Sequence, residues 1–201
     1  MVQALSRPFI ADCMRCIGVS LVLLLVACSP KLDWRSVQSP QLHYIALFPA
    51  KPERIERTLS YQDHEILQTL EAVKVDDDIY SVSTIHLTQD QMALMPAVLA
   101  QLQDHFFQSA GVKEPDALSA QSVYQTEGHE RIAVTDYFLN FPATNADTRM
   151  MRVRWITRTA ELHGAWIYQV SVLHTAAAHE SVKPFLSSDA YSNFFDEFHP
   201  E

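Results

Sequence analysis

Two stretches near the C-terminal end of the chain alternate with a period that only extended backbone can use. Over 151–158, Met151, Val153 and Trp155 fall on one side and Arg152, Arg154 and Arg158 on the other, with Ile156 the exception. Over 165–174, Trp166, Tyr168, Val170 and Val172 share a side opposite Gln169 and Ser171. Successive side chains of a strand point to opposite faces. Both stretches therefore read as strands with one apolar and one wet face, which is how antiparallel sheets behave. His163-Gly164 supplies the glycine that a tight connection between them can use.

The same period runs through much of the rest. Strands are expected at 43–48, 53–61, 65–75 and 79–87, then at 119–126, 131–141, 150–159 and 165–174. Asp76-Asp77-Asp78 turns the chain between the third and fourth, and Glu127-Gly128 turns it between the fifth and sixth. Thr88-Gln89-Asp90-Gln91 fits a capping box. Pro96 removes a donor and disfavours helical geometry at Met95. A first turn, a break and then a helix from Pro96 to Ser109 follow, with Leu99, Leu102 and Phe106 as its apolar stripe and Gly111 ending it. A last helix, capped near Ser187 or Ser188, carries Tyr191, Phe194, Phe195 and Phe198. Two adjacent phenylalanines cannot share one helix face, so Phe107, and one of Phe194 and Phe195, should be partly exposed. The expected class is α+β, an antiparallel sheet with packed helices.

The N-terminal segment is of another kind. Arg7 and Arg15 precede an apolar run from Ile17 to Ala27, which ends at Leu25-Val26-Ala27-Cys28. At about 1.5 Å per residue the run covers roughly 16 Å, half of a hydrocarbon core of about 30 Å. Extending it backwards meets Arg15 and Asp12, which are costly in a bilayer. It resembles the export signal and lipobox of bacterial lipoproteins. That resemblance implies cleavage before Cys28, acylation of its sulfur, and anchoring by the attached chains. Ser29 in the next position goes, in enterobacterial lipoproteins, with sorting to the outer membrane. The expected organisation is a signal peptide over 1–27, an acylated cysteine and tether over 28–42 with Trp34 docking on the domain, and one domain over 43–201.

Composition excludes several classes. Cys13 and Cys16 lie in the discarded segment and Cys28 would be blocked, so the folded part has no thiol for a disulfide, a nucleophile or a metal. With Arg7, Arg15 and Asp12 set aside from 15 basic and 24 acidic residues, the remainder is net −10. Such a surface is repelled by nucleic acid and by anionic headgroups. Only Gly111, Gly128 and Gly164 follow the signal, too few for a Gly-x-Ser-x-Gly elbow, a phosphate loop or a dinucleotide fingerprint.

Phe48-Pro49-x-x-Pro52, the 166–172 strand, Phe194-Phe195-x-x-Phe198 and Trp34 are similar to features of the PsbP-like fold. That fold serves photosystem extrinsic proteins, a Ran-binding protein and bacterial lipoproteins of the DcrB kind. The likeness covers most of 34–198. It implies a sandwich of sheet and helices whose members bind proteins, with no shared catalytic set to transfer.

Candidate chemistry is sparse. His174-x4-His179, with His163 reaching across the hairpin, has a zinc-compatible spacing, but no His-Glu-x-x-His and no cysteine completes a set. Asp76, Asp77 and Asp78 lack the glycine and distal glutamate of a calcium loop. No catalytic residue, metal or cofactor is expected. Arg149, Arg152, Arg154 and Arg158 concentrate positive charge in an acidic domain. On a wet strand face, Arg152, Arg154 and Arg158 would form a docking stripe for an acidic partner or an anionic glycan or headgroup; the plainer alternative is a solvated face paired with cross-strand Glu or Asp. The expected function is a non-enzymatic envelope lipoprotein, facing the periplasm and acting by contact with another envelope protein. The alternative is a carrier or sensor holding a small apolar or anionic ligand between helix and sheet. A metal-dependent hydrolase is the remaining class.

Overall fold

In the computed structural model, which describes residues 32–141, 149–160, 163–176 and 180–201, alternation and turn chemistry produce two antiparallel sheets. β1 (Arg35–Ser39), β2 (Tyr44–Phe48) and β10 (His199–Pro200) make a three-stranded sheet with β2 in the centre. The other seven are β3 (Glu53–Tyr61), β4 (His64–Val75), β5 (Asp78–Leu87), β6 (Leu118–Gln125), β7 (Arg131–Phe141), β8 (Arg149–Ala160) and β9 (Gly164–His174). They are ordered β3-β4-β5-β9-β8-β7-β6, leaving β3 and β6 at the edges. The helices are α1 (Met95–Ser109), α2 (Val182–Leu186) and α3 (Asp189–Asp196), and a 3₁₀ turn over Gln89–Leu94 leads into α1. The signal segment, Cys28 and His179 lie outside the described residues. Among the described residues no helix is long and apolar enough to cross a membrane.

The connections carry their own chemistry. Gln62 at φ 51° and Asp76 at φ 51° take the left-handed positions that short turns need. In the β6–β7 turn His129, at φ 64°, takes that role rather than Gly128. Gly164 is at φ 98°, and a Cβ there would lie 2.1 Å from the carbonyl oxygen of Leu87. Pro96 sits in the first turn of α1, where its missing N–H is not needed. The amide of Gly111 bonds to the carbonyl of Gln108 and that of Val112 to Phe107, closing the helix.

The seven-stranded sheet is covered on both faces. On one, α1 lays Val98 against Ile66, Ile85 and Ile167, and Phe107 against Tyr137 and Trp155. On the other, the small sheet, α2 and α3 bury a cluster that includes Tyr44, Phe48, Tyr80, Tyr168, Phe194, Phe195 and Phe198. Buried Glu71 ties the sheets together, accepting from the Ser39 hydroxyl at 2.8 Å and from the Tyr44 hydroxyl.

Three expectations are corrected. Residues 35–42 are not tether: β1 pairs with β2 from Arg35↔Phe48 to Ser39↔Tyr44, Leu42 is buried, and the compact unit starts at Asp33. Trp34 meets Tyr80 edge-on at 6.2 Å. Phe107 is buried and Phe106 half-buried, the reverse of the expected order. Phe194 and Phe195 are both fully buried, because α3 is held between the small sheet and β8.

Candidate functional site

The arginines come first, because β8 does not have a wet face. Arg154 is 0% exposed, Arg152 5% and Asp136 of β7 1%. Register explains the meeting: Asp136 pairs directly with Arg154, and Arg152 is one step along the same face. Arg154 Nε donates to Asp136 Oδ1 at 2.6 Å, and Arg152 Nη2 to Asp136 Oδ2 at 2.6 Å. Arg154 Nη2 donates to Ser122 Oγ of β6 at 2.8 Å, and one donor of each guanidinium reaches the helical segment. Arg154 Nη1 bonds to the Phe195 carbonyl at 2.9 Å, and Arg152 Nη1 to the Leu186 carbonyl at 3.2 Å. The Phe195 ring lies 4.1 Å from the Arg152 guanidinium, close enough for cation–π attraction. Burial pulls Arg152 below the ordinary arginine range, and Asp136 opposes that pull. This cluster fastens α2 and α3 to the sheet. The docking stripe expected of Arg152, Arg154 and Arg158 is thereby corrected: two members are core, and half-buried Arg158 donates to the Glu201 carbonyl at 3.2 Å.

Of the expected histidine set, His163 and His174 do not converge, and His179 lies outside the described residues. His174 Nδ1 lies 2.7 Å from Asp78 Oδ1, at the end of β9 away from His163. His163 instead offers its carbonyl to His86 Nε2 at 2.9 Å. The His86 ring stacks on Trp166 at 5.0 Å, and the His43 ring lies tilted against it at 4.5 Å. Among the described residues no group of three His, Cys, Asp or Glu side chains could hold a metal ion.

What the fold does build is a cleft. α1 covers the middle of the sheet but stands off its β3 edge, leaving about 740 Å³ open to solvent. Leu59, Ile66, Val98 and Leu102 give it an apolar lining, Arg57 lines it from β3, and Asp104 and His105 line it from α1. Arg57 is held from behind: its Nε donates to Gln68 Oε1, and Gln68 Nε2 donates to Ser83 Oγ at 2.7 Å. Gln68 and Ser83 are buried, so their mutual bond is protected from water and fixes the amide that Arg57 uses. Chemically, the lining offers contact to an apolar body and, at the Arg57 guanidinium on the β3 side, a partner for a negative end, with Asp104 on the α1 side. Among the described residues this space is an open groove rather than an enclosed cavity. Leu102, expected on the helix stripe, lines it, whereas nothing in the strand pattern marked Arg57 or Gln68.

Comparison with protein-family models and with curated proteins finds no match to this chain.

Proposed function

We propose that this chain is a non-catalytic binding module of the bacterial cell envelope, and that the groove between α1 and β3 takes a small ligand with an apolar body and an anionic end. The observation that carries this is the guanidinium of Arg57, braced by the buried Gln68–Ser83 pair beside an apolar lining of Leu59, Ile66, Val98 and Leu102. Concave, mostly apolar sites with a few fixed polar groups are the usual form of small-molecule sites. Attachment by acyl chains on Cys28, facing the periplasm and favouring the outer membrane, is supported by Leu25-Val26-Ala27-Cys28-Ser29. The absence of a thiol after Cys28 and of any nucleophile elbow supports binding rather than catalysis. The PsbP-like architecture belongs to the same proposal, supported by the covered antiparallel sheet and by the aromatic residues of α3.

The test uses the chain extracted from membranes and a fluorescent long-chain carboxylate as probe. The probe should bind saturably, and Arg57→Gln should weaken it about tenfold, the order lost with one charge-assisted bond. Leu102→Trp should abolish binding by filling the groove. An uncharged alcohol of the same length should bind both wild type and Arg57→Gln equally. Unsaturable binding, or a carboxylate indifferent to Arg57→Gln, would overturn the proposal.

A further inference from the structure

Among the described residues β3 is an open edge, and its sequence is self-complementary. The strand reads Glu53-Arg54-Ile55-Glu56-Arg57-Thr58-Leu59-Ser60-Tyr61, and within the described residues it pairs on one side only, with β4. Ile55 is 60% exposed, the most exposed of the large apolar side chains described. Open edges of this length are hazards that proteins normally blunt. Here the charges alternate in sign instead of repelling.

We propose that β3 pairs with β3 of a second copy of this chain, antiparallel and centred on Ile55, so that two seven-stranded sheets become one. In that register Ile55 faces Ile55 of the second copy. Arg54 faces Glu56 of the second copy, Glu53 faces its Arg57, and symmetry repeats both pairs. Every charged residue from 53 to 57 meets its opposite.

Backbone geometry selects the same register. The β3–β4 hairpin closes at Tyr61 opposite His64 over a two-residue turn. The closing pair of such a turn exchanges both backbone bonds, and the pattern alternates from there. Arg54, Glu56, Thr58 and Ser60 therefore direct their N–H and C=O groups outward. Pairing Arg54 with Glu56 of the second copy joins outward groups to outward groups. It also leaves the two Ile55 residues in a non-hydrogen-bonded position, where opposite side chains approach most closely. Moving to the neighbouring allowed registers sets Arg54 against Arg54, or Glu56 against Glu56. Pro52, which has no N–H, then faces Thr58 and limits the ladder to a short one.

Within one chain Arg54 Nη2 already holds Glu56 Oε1 at 2.7 Å. The two copies would place two arginines and two glutamates in one alternating ring. A two-fold pairing closes on itself. The other edge, β6, carries no charged residue over Leu118–Gln125 and offers no comparable register. Arg54, Ile55 and Glu56 do not line the ligand groove; Arg57, which does, also faces Glu53 of the second copy, so the test leaves Arg57 unchanged and reads the Arg54–Glu56 pairs.

A short edge ladder falls in the weak class of interfaces, with a dissociation constant on the order of 10 μM to 1 mM. The full chain in density-matched detergent should sediment as a monomer–dimer equilibrium in that range. Arg54→Glu and Glu56→Arg should each weaken association at least about tenfold, by setting like charges opposite each other. Mixed together they should form a heterodimer, with tagged Arg54→Glu chain retaining untagged Glu56→Arg chain, since all four cross-pairs are then attractive. Recovery on mixing also shows that both variants are folded. A wild-type chain that stays monomeric to about 1 mM, single reversals that associate as wild type does, or a mixture with no recovery would each overturn the proposal.

Discussion

Asp136 is the residue on which the C-terminal third of the fold turns. One carboxylate answers two guanidinium groups, and all three are buried. Removing one member of such a group leaves an uncompensated charge in a low-dielectric interior, at a typical cost of about 3–5 kcal/mol. Asp136→Asn should therefore lower the unfolding free energy in urea by that order, and Arg154→Leu by a similar amount. Arg158→Gln, at a half-exposed position, should stay within about 0.5 kcal/mol. Equal effects at 154 and 158 would contradict the division between buried and peripheral arginines. The alternation over 151–158 was legible, but its meaning was not. Period two distinguishes the faces of a strand without saying whether water or another layer lies beyond. The missing clue was a lone aspartate beside Tyr137-Phe138-Leu139, a run that no solvated face would explain.

Elements whose signals are local were readable at the scale of the chain. β3 and β7 begin and end where alternation and turn residues place them, and α1 starts at Met95, one residue before the expected Pro96, and ends at Ser109 as expected. β1 was not, because Arg35-Ser36-Val37-Gln38-Ser39 has one apolar residue and is a strand only by pairing with β2. α2 is five residues long with Pro184 in its middle, and it forms because Val182 and Leu186 have a core to enter. Gly164, the first residue of β9, is the most constrained glycine described. It combines φ 98° with the carbonyl oxygen of Leu87 at 2.1 Å from where a Cβ would sit. Backbone strain and overpacking each cost about 1–3 kcal/mol, so Gly164→Ala should lose about 2–5 kcal/mol. Gly128→Ala, where the nearest atom is a Thr126 side chain at 3.7 Å, should be nearly neutral. Comparable thermal midpoints for the two variants would show that the backbone at Gly164 relaxes freely.

At the scale of the whole molecule, the groove and the double covering of the sheet were invisible in the sequence, because both depend on where one layer stops over another. The same covering sets how the protein should respond to alkali. Burial pushes the phenols of Tyr44, Tyr80, Tyr168 and Tyr191 well above the ordinary value of 10.0. Burial, then a hydrogen bond to Glu114, takes Tyr137 up to about 12. A group whose folded-state value is raised contributes stability that is complete below its unfolded value and declines as pH climbs towards the folded one. Stability should therefore be insensitive to these phenols up to about pH 10. Above that it should fall with a slope set by several tyrosines at once, since the unfolded chain releases protons that the folded chain retains. Absorbance at 295 nm and far-UV circular dichroism, followed together from about pH 8 to 13, should show these phenolates appearing with the loss of β signal. If all seven tyrosines ionised near pH 10 with the sheet signal intact, these phenols would have to be in contact with water. The aromatic layer between the two sheets would then not be the closed core described.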